Sequence, residues 1–183
     1  MRYIGLILIL GLINSCNQPD NQVILDKFMD GYYNQGFMSI SSMLADSVTI
    51  KDVPDYEVTY SKDDYKIQYQ WDSTFQPEIK YTITDQTDTT IDFFVDRYSI
   101  RFEFLEHNPL KMKQRIYFKN GQISVIENME YLNFDVDKWT SNRDSLVNWI
   151  DRYHPELNGF IYDLTKKGAE DYIKAIELYK NAL

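Results

Sequence analysis

The chain has 183 residues, a formal net charge of −9 and a single cysteine. With no clustered Lys or Arg, that balance excludes electrostatic capture of nucleic acid or of an anionic lipid surface. One thiol excludes an internal disulfide, so packing alone must hold the fold. The 15 Tyr, with 10 Phe and 3 Trp, can supply both a core and the walls of a concave ligand site.

Residues 1–15 read as a targeting segment, not as part of the fold. Arg2 is the positive n-region, and residues 4–13 form an apolar run too short for a bilayer span, which needs ~20 residues. The run closes in Leu-Ile-Asn-Ser-Cys, ending at Cys16. This resembles a bacterial lipoprotein signal, with Ile13 where Leu is commonest. The resemblance implies acylation of Cys16 and anchoring in a lipid bilayer, firmer than a single acyl chain would give. Asn17 gives no reason for retention at an inner membrane, so the outer membrane of a bacterial cell envelope is the expected address. Residues 16–21 are a polar tether.

Residues 22–34 predict a helix, because Ile24, Phe28 and Tyr32, and Leu25, Met29 and Tyr33, recur at four-residue spacing. A short helix follows over 38–44, then a strand over 47–52 that Pro54 stops. Residues 57–60 are a further short strand. Ser61 and Asp64 mark a helix N-terminus, and the helix runs to Phe75. Ile67, Trp71 and Phe75 form one row on it; Tyr65 and Tyr69 form a neighbouring row. Strands over 78–84 and 90–96 place Ile79, Tyr81 and Ile83, and Ile91, Phe93 and Val95, on their core faces. Asp92, with opposite parity to Ile91, is expected to be solvated. Residues 97–106 fit either a strand or a helix.

Residues 114–131 predict a hairpin, because Asn120-Gly121 between alternating runs suits a two-residue turn with both φ positive. Continuing that register pairs Phe118 with Ile123, Tyr117 with Ser124, Ile116 with Val125 and Gln114 with Glu127. Ile116, Phe118, Ile123 and Val125 would then share the apolar face, and Glu127 would point inward beside Gln114. The C-terminal part is helical: Ser141 and Asp144 read as a cap, Leu146, Trp149, Ile150 and Tyr153 form a stripe, and Pro155 ends it. A last helix over 167–181 carries Ala169, Tyr172, Ile173, Ile176 and Tyr179.

The helix over 23–33, Asp46-Ser-Val-Thr-Ile, and Tyr117-Phe-Lys-Asn-Gly-Gln-Ile-Ser-Val-Ile126 together resemble the nuclear-transport-factor-2-like fold. That family includes SnoaL-like polyketide cyclases and ketosteroid isomerases. The resemblance implies an α+β cone over 22–135, with N-terminal helices on a curved antiparallel sheet. Residues 136–183 resemble the helical extension of some SnoaL-like proteins and are expected to dock on it. It also implies a cavity between sheet and helices, though fold does not choose function.

Candidate cavity residues are Gln114, Glu127, Tyr32, Tyr69 and Trp71. A carboxylate on an apolar face is costly unless hydrogen-bonded, and burial would raise its pKa as a general base requires. Glu127 is therefore the candidate base, with a bulge as the alternative that would turn it away. His107 and His154 have no ligand partners at useful spacing, so no metal and no cofactor are expected. The expected function is a non-catalytic envelope lipoprotein binding a small apolar or amphiphilic ligand or a partner protein. The alternatives are a SnoaL- or isomerase-type enzyme using Glu127, and a module that dimerises through its sheet.

Overall fold

A computed structural model describes residues 20–107 and 109–182. The signal segment, Cys16 and most of the tether lie outside the described residues. Helix α1 (Asn21–Asp30) starts at Asp20, whose carboxylate accepts from the Gln22 amide, and runs into a π-helical turn, Gly31–Gln35. Short α2 (Phe37–Ile40) and a 3-10 turn lead into β1 (Leu44–Asp52) and β2 (Tyr56–Ser61). Helix α3 (Lys62–Thr74) is capped by the Ser61 hydroxyl, which accepts from the Asp64 amide at 3.2 Å. Strands β3 (Glu78–Gln86) and β4 (Thr90–Tyr98) follow, then α4 (Ile100–Glu106). Strands β5 (Leu110–Lys119) and β6 (Gln122–Tyr131) make the long hairpin, and α5 (Val136–Tyr153) and α6 (Lys166–Asn181) complete the chain.

The six strands form one curved, unclosed sheet in the order β2-β1-β6-β5-β4-β3. All pairs are antiparallel except β1 with β6. The fold is thus the α+β cone that the resemblance to the nuclear-transport-factor-2-like fold implies. Its concave side is filled by α1, α3 and the inward rows of the strands, with Leu25, Ile40, Leu44, Ile91, Phe93, Ile116 and Ile123 fully buried. Each contributes about 1.5–3 kcal/mol of burial energy.

The ambiguous stretch 97–106 divides. Strand β4 continues to Tyr98, and then Ser99 caps α4 by accepting from the Phe102 amide at 3.1 Å. The Ile100 amide donates to the Phe75 carbonyl at 3.1 Å, which ties α4 to the end of α3. Helix α5 starts one and a half turns before the cap expected at Ser141. Asp135 is the cap, accepting from the Lys138 amide at 3.0 Å, so Ser141 and Asp144 sit inside the helix.

Helix α3 has two working faces. Tyr65 and Tyr69 enter the cone, while Trp71 and Phe75 enter a second core with Phe104, Leu105, Leu146, Ile150, Tyr172 and Ile176. At 3.6 residues per turn, Trp71 lies well round the helix from Tyr65. Ile67 continues the Trp71 row in sequence but is exposed, because the second core does not reach that far along α3.

The hairpin turn is as expected, with Asn120 at φ 54° and Gly121 at φ 72°. Its register is not. Phe118 pairs with Ile123, but Tyr117 then pairs with Val125, Ile116 with Ile126, Arg115 with Glu127 and Gln114 with Asn128. Ser124 is the extra residue of a β-bulge, and its hydroxyl donates to the Tyr117 carbonyl at 3.2 Å. A bulge reverses the side-chain parity beyond it. Val125 and Glu127 therefore turn to the outer face, and Ile126 and Asn128 turn inward. The exchange replaces a costly inward carboxylate by an amide.

Candidate functional site

The concave side encloses a cavity of about 580 Å³ between α1, α3, the floor of the sheet and the start of α5. Its apolar walls include Phe28, Ile50, Ile116 and Ile126. It reaches the surface, because Val53, Tyr56, Phe134 and Leu164 line it and are also exposed.

Two polar arrays face into it. On the sheet floor, the Gln114 amide donates to Asn128 Oδ1 at 2.6 Å, and Asn128 Nδ2 lies 3.4 Å from the Tyr131 hydroxyl. Tyr131 in turn donates to Asp52 at 2.9 Å. Burial, then the neighbouring Asp52, raises the Tyr131 pKa well above its ordinary value, so this hydroxyl keeps its proton at neutral pH. The second array centres on Asp72 of α3. It accepts from the Tyr32 hydroxyl at 2.9 Å and pairs with Arg97 of β4. Burial would lower Arg97, yet Asp72 and the Tyr33 and Tyr32 rings' hydroxyls beside it hold its pKa above the usual guanidinium value. Tyr32 is raised by burial and by Asp72.

Arg101, in the first turn of α4, is the other cation of the cavity. Its guanidinium carbon lies 4.7 Å from the Trp71 ring centroid, 5.1 Å from Phe102, 5.4 Å from Phe75 and 5.6 Å from Trp139. Burial lowers its pKa below the usual guanidinium value. The Nε atoms of Arg97 and Arg101 and the Trp71 indole nitrogen are buried with no hydrogen-bond partner among the described residues.

Of the residues expected at the site, Gln114, Tyr32 and Trp71 line this cavity. Tyr69 is buried but does not line it; its hydroxyl donates to the Tyr32 carbonyl at 3.2 Å, and it lines a separate, more open hollow with Asp30 and Pro77. Glu127 is on the opposite side of the sheet, accepting from the Tyr117 hydroxyl at 2.7 Å. It is not an inward base, because of the Ser124 bulge. His154 sits at the end of α5, 3.2 Å from Glu156, and His107 ends α4 with φ 59°; neither lines the cavity.

Asp72, Arg97, Arg101, Asn128, Tyr131 and Asp52 were not anticipated from the sequence. Two of them carry a readable signal. Arg97 has the inward parity of Ile91, Phe93 and Val95, and Asp72 continues the Tyr65 and Tyr69 stripe at i+7. Asn128 carries none, since the bulge reverses its parity.

No protein-family model and no curated protein matches the chain. Solved structures do match in shape. An uncharacterized cystatin-fold protein from Novosphingobium aromaticivorans superposes with a TM-score of 0.50 at 11% identity, covering 61% of this chain and 98% of its own. An NTF2-like protein of unknown function from Cytophaga hutchinsonii gives 0.46 at 10% identity, covering 62% and 90%. The epoxide hydrolase/cyclase-like enzyme SalBIII, of polyether salinomycin pyran-ring formation, gives 0.49 at 11% identity, covering 58% and 87%. At these identities the likeness concerns the fold alone.

Proposed function

We propose that this chain is a lipid-anchored protein of the bacterial cell envelope whose cavity holds a small amphiphilic ligand without transforming it. The observation that carries this reading is the cavity itself: about 580 Å³, walled by aromatic and aliphatic side chains and reaching the surface. That size and lining suit a small molecule buried over most of its area. The carboxylates that reach it are already engaged, Asp72 by Arg97 and Tyr32, and Asp52 by Tyr131. Neither is an uncommitted base, and Glu127 lies outside, which favours binding over isomerase-type catalysis. The outer face of the sheet is mostly charged, with Lys111 and Lys113 beside Asp96, Asp92 and Glu130. Such a face suits water better than a large apolar dimer interface.

The lipobox-like residues ending at Cys16 support the anchored address.

The test has two arms. Cys16→Ser should move the protein from the membrane to the soluble fraction; continued membrane association would overturn the anchor. Titrating the full chain with dodecyl amphiphiles, and following the fluorescence of Trp71 and Trp139 in the cavity wall, should give saturable one-to-one binding for at least one of them. No saturable change with any head group would overturn the binding reading.

A further inference from the structure

We infer that the ligand of this cavity is an aliphatic monocarboxylate whose head group sits against the edge of the Arg101 guanidinium. This rests on the ligand-binding reading and specifies its ligand class.

Arg97 and Asp72 neutralise one another, and Tyr32 completes that pair. Asp52 is held by Tyr131 and also faces a hollow at the β1–β2 turn beside Lys51 and Glu57. Arg101 has no ion pair and no hydrogen bond at Nε among the described residues. A cation so placed is compensated by its ring contacts only in part, since a desolvated charge needs a counter-charge or full hydrogen bonding. Tyr131 is neutral, so Asp52 keeps its own charge; Arg101, a single cation with no ion pair among the described residues, matches one negative charge, not the two of a phosphate monoester.

The surroundings then select the shape of the anion. Four aromatic rings crowd Arg101, and it lies over the faces of each. These contacts include no ion pair or hydrogen bond of Arg101 among the described residues, which leaves the terminal N–H edge of the guanidinium for a polar partner. A planar carboxylate meets that edge with two parallel hydrogen bonds. Beside the two polar arrays, the wall made by Phe28, Ile50, Ile116 and Ile126 is aliphatic or aromatic and would take a hydrocarbon chain. Val53, Tyr56, Phe134 and Leu164 ring the exit with exposed apolar surface over which the chain end can pass.

The experiment compares head groups on one chain length. The full chain is titrated with dodecanoate, dodecanol and dodecyltrimethylammonium, read by intrinsic fluorescence and calorimetry. Dodecanoate should bind the native protein about tenfold or more tightly than dodecanol, the ratio expected of a charge-assisted hydrogen bond. The cation should bind weakest. Arg101→Met should abolish the preference for dodecanoate while keeping dodecanol binding, and Arg101→Lys should retain an intermediate preference. Equal affinity of native protein for dodecanoate and dodecanol overturns the inference and leaves the binding reading intact. A preference for dodecanoate that survives in Arg101→Met also overturns it. Saturation by none of the three removes the binding reading and the inference together. If Arg101→Met does not fold, the head-group ratio in the native protein still decides.

Discussion

Asp92 is 5% exposed although it lies on the outer, solvent-side face of the sheet. The alternation of β4 predicts that side correctly but predicts solvation there. What shields it is its neighbour across the ladder, Arg115, which donates from Nε at 2.5 Å and from a terminal nitrogen at 2.7 Å, with Lys113 at 3.7 Å. The Arg115 hydrogen bonds hold the Asp92 carboxyl below the usual aspartate range, against the opposing effect of burial. A group with a depressed folded-state pKa contributes stability that is full above its unfolded pKa. That stability is lost as pH falls through the folded value. Native protein should therefore lose stability on acidification below the ordinary aspartate range. Asp92→Asn should flatten that part of the profile and cost about 1–3 kcal/mol at neutral pH, because Arg115 loses its charged partner. Urea denaturation at a series of pH values checks both; an unchanged acid slope in the variant would mean that Asp92 is not the responsible carboxylate.

Helix α6 begins where the connector from a second 3-10 turn, Pro155–Leu157, folds back onto it. Thr165 caps it, its hydroxyl accepting from the Gly168 amide at 3.3 Å, while Asp163 accepts from the Thr165 amide at 3.0 Å. These bonds bring the Asp163 carbonyl so near Gly168 that a Cβ there would lie 1.9 Å from it. Gly168 is thus needed for close approach, not for backbone freedom. Gly168→Ala should destabilise the protein by about 1–3 kcal/mol through overpacking against main chain. Melting temperature reads this directly, and an unchanged melt would show that the connector yields freely. At the same scale, the two-residue turn of the β5–β6 hairpin was readable from Asn120-Gly121, since few dipeptides accept two positive φ angles. The Ser124 bulge four residues away was not, because its benefit appears only when β6 meets β1 and the cone interior at once.

The two cores share α3, and Trp139 packs against both. The start of α5 and the connector before α6 are therefore part of the cavity wall, while both helices cover Trp71 and Phe75. Phe134, Trp139 and Leu164 all line the site. A chain ended after Asp135 would expose Trp71, Phe75, Phe104 and Leu105, a contiguous apolar patch that soluble domains rarely leave open. It should show no cooperative thermal transition and should bind a hydrophobic dye. A cooperative melt like that of the full chain would mean that the cone stands without its extension.

Parity and turn chemistry are local, so the sequence alone determined most helices, most strands and the hairpin turn, and the cone is what the resemblance carried by those segments implies. Of the candidates read from the sequence, Tyr32, Trp71 and Gln114 line the cavity. Arg97 and Asp72 were equally legible by parity, but their meaning as a mutually neutralising pair depends on α3 lying over β4. Glu127, Asn128 and the isolation of Arg101 were decided only in three dimensions. A bulge adds one residue without any local signature, and whether a charge has a partner depends on residues far away in the chain.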